Sequence, residues 1–189
     1  MSFQFTVVPL ILACRSGSIG PLWRQREVTD MVEEARRIWL QYSVDVRMRE
    51  IAERTINMPS AVDGISRSEL PGLPGVLEVR GAVVVLVHRL TGNTNAGLAV
   101  VGGRICALQW PLSGRVQAIN MGRILAHELG HIFGLDDYQN PEYQPGRHDE
   151  YTVALSVARS NLMTSSIDLG TQLTPDQVTR AQSSPWLSR

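Results

Sequence analysis

Lysine is absent: all 18 basic residues in this chain of 189 are arginine. Every side-chain cation apart from protonated histidine is therefore a guanidinium, and no side-chain amino group is on offer for ubiquitin attachment. A GC-rich coding sequence produces the same bias, and composition does not separate the two causes. Net charge is missing as well, since 18 acidic residues balance the arginines. That balance argues against nucleic acid as an electrostatic partner. No apolar run approaches the length of about twenty residues that a membrane-spanning helix needs. The densest, Val83 to Val87, is far too short, and no membrane association is expected. Two cysteines, Cys14 and Cys106, do not make a disulfide scaffold. Each reads as a buried thiol in a strand, or the two pair if the protein is exported. The apolar residues 7–13 have no basic residue before them, so they read as a first buried strand and not as a signal peptide. With 43% apolar residues and no repeat or low-complexity segment, one domain over residues 1–189 is expected.

Histidine is scarce, four in all, and two of the four fall in the stretch His127-Glu128-Leu129-Gly130-His131-Ile132-Phe133-Gly134-Leu135-Asp136-Asp137. Residues four apart on a helix lie one above the other, so His127 and His131 can aim ring nitrogens at a single tetrahedral metal. Glu128 then sits beside the metal, placed to take a proton from water as a general base. Ile119, Ile124, Leu125, Leu129 and Ile132 give the segment a helical apolar face that buries one side and leaves the ligand edge to a cleft. Gly134 follows where a helix C-terminus commonly needs a left-handed residue. After that turn Asp137 can return as the third protein ligand and leave a fourth position for water. Asp136 is a neighbouring alternative. Glu150, 19 positions after His131, is another, in the manner of a third ligand carried on a later element, with His148 and Asp149 beside it.

The pattern H-E-x-x-H-x-x-G-x-x-D resembles the metzincin metallopeptidase signature, with Asp137 in place of its third His as in small snapalysin-type neutral proteases. The resemblance implies a zinc-dependent endopeptidase, with Zn2+ held by His127, His131 and Asp137 and Glu128 as the catalytic base. A carboxylate ligand lowers the charge of the metal centre by one unit, so a neutral-to-alkaline optimum is expected, moving toward acid in Asp137→His. Asn161-Leu162-Met163-Thr164 is similar to the metzincin Met-turn, in which Met163 would be an apolar floor under the imidazoles. Gly97-Leu98-Ala99-Val100-Val101-Gly102 is similar to the rim strand of the metzincin cleft, where an extended peptide binds by main-chain hydrogen bonds. A tyrosine donor to the oxyanion is not carried over from Tyr138, Tyr143 or Tyr151, because Ser165 stands two residues after Met163. The rival arrangement with Glu150 would be a gluzincin-type site, and a structural zinc in a non-catalytic binding module is the alternative of a different class. The likeness also favours a secreted or delivered protein, and a monomer is expected.

The fold class so implied is α+β and metzincin-like. It comprises a twisted mixed β-sheet, a long backing helix, an active-site helix and a small C-terminal subdomain with the Met-turn and a terminal helix. The N-terminal subdomain spans residues 1–135 and the C-terminal one 136–189. Periodicity places strands over residues 3–13, 44–56, 83–87 and 104–110, with the rim strand near Gly97. A long helix opens at Thr29 or just before it and runs to about Gln41 through Val28, Met31, Val32, Ala35, Ile38 and Trp39. Residues 59–74 read as a loop. Thr174-Pro175-Asp176 is an N-cap followed by Pro at the first helical position, opening a terminal helix toward Ala181.

Overall fold

In a computed structural model, residues 2–14, 23–56, 64–73, 75–91, 96–109, 118–138, 160–164 and 170–189 are described. In chain order their elements are β1 (Phe3–Cys14), α1 (Gln25–Leu40), β2 (Val44–Met48), β3 (Ala52–Ile56), β4 (Ala82–Val87), β5 (Gly97–Ala99), β6 (Ile105–Gln109), α2 (Ala118–Ile132) and α3 (Pro175–Gln182). The valine-rich run of β4 lies inside the sheet because both of its faces are covered. Val84 and Leu86 join the core under the helices, while Val83, Val85 and Val87 join a second cluster with Ile65, Leu70, Leu73 and Val76 on the opposite face. The strand order is β2-β1-β4-β6-β5, parallel throughout except for β5, which runs antiparallel to β6 at the end of the sheet. The fold is thus mixed α and β on a mostly parallel sheet.

The single strand expected over residues 44–56 is two. β2 pairs with β1 in the register Val7↔Met48, and β3 resumes as Leu10↔Ala52, so the edge carries one residue more than β1 between those points. The slip falls opposite Val8 and Pro9, and Pro9 has no N–H to give a ladder there. The rim strand is also shorter than expected, ending at Ala99, after which Gly103 N donates to Val100 O (2.8 Å) and turns the chain into β6.

Helix α1 opens earlier than expected, with Arg24 at the N-cap and Glu27 accepting from Arg24 N (3.0 Å). Its buried stripe backs α2: Trp39 Nε1 donates to Ala126 O (3.0 Å), and the Trp39 ring meets Phe133 edge-on at 4.7 Å. α3 starts where Thr174 predicts, its side chain accepting from Gln177 N while Gln177 Oε1 accepts from Thr174 N (2.9 Å). Within the expected 59–74 loop, Leu70–Gly72 makes one 3-10 turn. Among the described residues no helix is long and apolar enough to cross a membrane. Cys106 is a buried free thiol.

Candidate metal centre

Helix α2 ends one residue after His131, and its ending shapes the site. Gly134 adopts φ +91°, Gly134 N donates to His131 O (2.9 Å) and Leu135 N to Gly130 O (2.9 Å), which together form a Schellman motif. The chain therefore reverses at once, and residues 135–138 run back past the helix.

That return brings three side chains together. Asp137 Oδ1 lies 3.4 Å from His127 Nε2 and 3.6 Å from His131 Nε2, and the three donor atoms fall within 4.8 Å of one another. The two separations are long for hydrogen bonds, yet they match the spacing of about 3.3–3.4 Å between ligands on a tetrahedral ion with bonds near 2.0–2.1 Å. Each imidazole is oriented from behind: His127 Nδ1 donates to Leu162 O (2.8 Å) and His131 Nδ1 to Leu135 O (2.8 Å). A carbonyl can only accept, so both protons sit on Nδ1 and both Nε2 lone pairs point at the common space. Burial, aided by the neighbouring His131, keeps His127 below the ordinary histidine value and hence neutral near pH 7, although Leu162 and Asp137 pull the other way. Two imidazoles and one carboxylate are a donor set that can hold one divalent metal ion.

Among the described residues, Asp137 is the candidate third-ligand carboxylate that lies beside the imidazoles. Asp136 points elsewhere, its Oδ2 accepting from Arg180 on α3 (2.9 Å). His148, Asp149 and Glu150 lie outside the described residues, as do Tyr143, Tyr151 and Ser165.

Glu128 projects from α2 toward β5 and is 5% exposed. A Cβ on Gly97 would stand 2.5 Å from Glu128 Oε1, so only glycine leaves room for this carboxyl against the strand. Burial, then the nearby Asp137 charge, push Glu128 up to about 8 against the pull of Arg67. Its carboxyl is thus held beside the donor set, facing the end strand.

Beneath the site, Asn161 Oδ1 accepts from Met163 N (2.8 Å), and Thr164 N donates to Asn161 O (3.3 Å), closing a tight turn. Met163 is fully buried, and a Cβ on Gly130 would fall 2.3 Å from its sulfur. The turn is fastened to the returning segment by Tyr138 N donating to Met163 O (2.7 Å), and to α3 by Asn161 Nδ2 donating to Gln177 Oε1 (2.8 Å). Sequence reasoning missed the Leu135 and Leu162 carbonyls, the fit of Gly97 to Glu128 and the presence of Arg67. Backbone acceptors and long-range neighbours leave no periodic or motif signal.

No protein-family model matches the sequence, nor does any curated protein sequence. Solved structures do match. The chain is similar to archaemetzincin from Methanopyrus kandleri, with 18% identity and a TM-score of 0.57 over 95% of this chain and 94% of that one. It is similar to archaemetzincin from Archaeoglobus fulgidus, in complex with malonate, with 12% identity and a TM-score of 0.56 over 94% and 99%. Metalloproteinase-II from Bacteroides fragilis matches with 12% identity and a TM-score of 0.54, over 95% of this chain and 52% of that one. At such identities the likeness defines the fold, one that archaemetzincins and a metalloproteinase share, and activity is argued from the site.

Proposed function

We propose that this chain is a zinc-dependent endopeptidase of metzincin type, with His127, His131 and Asp137 as metal ligands and Glu128 as general base. The observation that carries this reading is the convergence of two back-bonded imidazoles and the Asp137 carboxylate at ligand spacing, with the Glu128 carboxyl beside them. When bound, zinc would supply Lewis-acid polarisation of a peptide carbonyl and acidify water at the site. The chain's own residues do the rest. An extended peptide lies along β5, exchanging main-chain hydrogen bonds with the strand's outer side. Glu128 accepts the proton of the attacking water and passes it to the leaving nitrogen. The Leu135 and Leu162 carbonyls keep the imidazoles in one tautomer and one orientation. The Asn161–Thr164 turn serves as the Met-turn, with Met163 as an apolar floor that fixes the height of α2 at Gly130. The Asp137 variant of the signature is the snapalysin-like feature of this reading.

Hydrolysis of denatured casein with and without a chelator tests it. Glu128→Ala is expected to keep its metal and lose about a hundredfold or more in rate, while His127→Ala loses the metal itself. Equal rates in the wild-type chain and Glu128→Ala, at equal metal content, would remove Glu128 from the chemistry.

A further inference from the structure

The end strand carries a cation that the peptidase reading leaves without a role. Gln109 N donates to Ala96 O (3.0 Å) on the β6 side, and β5 pairs with β6 as Gly97↔Leu108, Leu98↔Ala107 and Ala99↔Cys106. Alternation in an antiparallel ladder then turns the backbone groups of Leu98 toward β6 and those of Gly97 and Ala99 to the opposite side. On that side the Arg67 guanidinium donates through Nη2 to Ala99 O. A single guanidinium has five donors, and among the described residues no carboxylate lies within ion-pair distance of this one. The nearest acid in sequence is engaged with a different neighbour, Glu69 Oε2 accepting from Ser66 N (2.7 Å) and Ser66 Oγ (2.6 Å). The base of the Arg67 loop is pinned as well, by Ile65 N to Arg89 O and Thr91 N to Ile65 O (both 3.0 Å). Arg67 is thus held over the outer side of β5.

We propose that Arg67 is a specificity-determining residue that receives a substrate carboxylate, selecting peptides with an acidic side chain within about two residues of the bond to be cut. The distance follows from the strand: a Cβ on Gly97 would meet Glu128, and Ala99, which Arg67 holds, is two residues or about 7 Å further along. The proposal rests on the peptidase reading for the placement of the peptide on β5.

The test uses the full chain loaded with zinc and a fluorescein-labelled alanine peptide with one Glu walked along it, beside the same series with Gln. Binding is read by anisotropy in the cleavage-blocked Glu128→Gln background, and cleavage in the otherwise unaltered chain. At one or two positions the Glu peptide is expected to bind about tenfold tighter than its Gln counterpart, with the preference expressed in KM and not in kcat. Arg67→Gln erases the ratio, Arg67→Lys keeps part of it, and Gln peptides bind alike to all three forms. A Glu-to-Gln ratio near one at every position overturns the proposal, as does a ratio that survives Arg67→Gln. Equal weakening of both series in Arg67→Gln overturns it too, showing that Arg67 only straps its loop to the strand. An Arg67-dependent preference in binding without any cleavage sinks the peptidase reading and leaves Arg67 as a carboxylate-binding residue only, overturning its part in cleavage specificity. Cleavage without charge preference overturns this inference and leaves the peptidase reading standing.

Discussion

Asp136 and Asp137 are adjacent and of one chemical type, yet the fold gives them opposite tasks. Asp137 stands between the imidazoles, while Asp136 reaches Arg180 across the surface. The two neutralised variants therefore separate cleanly. Asp137→Asn is expected to weaken metal affinity at least tenfold, since an amide oxygen is a poorer ligand than a carboxylate. Asp136→Asn is expected to keep its metal and to lose only the exposed ion pair, at most about 1 kcal/mol of stability. Metal content after dialysis against a graded chelator series decides, and equal loss in both variants would overturn the assignment. The His127, Glu128 and His131 cluster was legible in the sequence because its spacing is set by the helix alone. Asp137 was less sharply legible, since its position depends on the Gly134 turn, and Arg67 was silent because its partner Ala99 lies 32 residues away.

At the scale of elements, the tie between α1 and β2 runs through one buried carboxylate. Asp45 accepts from Arg36 Nε on α1 (2.7 Å) and from Arg47 Nε on its own strand (2.9 Å). Those hydrogen bonds, Arg36 first, hold Asp45 below the usual carboxylate value despite its burial. The sign follows from linkage. A lowered folded-state value means that the stabilisation is complete above the unfolded value of about 4 and is lost as the pH falls through the lowered one. Asp45→Asn is therefore expected to cost about 1 kcal/mol at pH 7, with half-exposed arginines limiting the gain, and progressively less as the pH falls below 4. Urea denaturation at both pH values checks it, and a cost independent of pH would show that packing and not charge makes the tie. Element identity was readable here because β4, α1, α2 and α3 each carry their own period or cap. The break between β2 and β3 was not, for the slip is imposed by Pro9 on a neighbouring strand. Nor was the burial of Asp45, which alternation alone would have assigned to solvent.

For the molecule as a whole, the centre joins the sheet-backed helix α2 to the C-terminal segments. His127 bonds Leu162, Tyr138 bonds Met163, Asp136 bonds Arg180, and the Tyr42 hydroxyl at the end of α1 donates to Thr171 O (2.8 Å). The main core, from Phe5 and Trp39 to Val84 and Leu86, uses none of the ligand side chains, so the sheet with α1 and α2 is expected to stay folded without metal. An ion held by α2 and the returning segment still adds its binding free energy to the native state alone. At a free zinc concentration of about 100 times the dissociation constant that is about 2.7 kcal/mol, or a shift of roughly 5–10 °C in Tm for a chain of this size. Chelation should therefore lower the Tm by that amount while leaving far-UV circular dichroism at 25 °C nearly unchanged, and it should leave the Tm of His127→Ala where it was. A chain that lost its metal without any change in Tm would place the ion outside the native-state contacts just described. One that unfolded outright on chelation would mean that the ligand loop, and not the sheet, nucleates the fold.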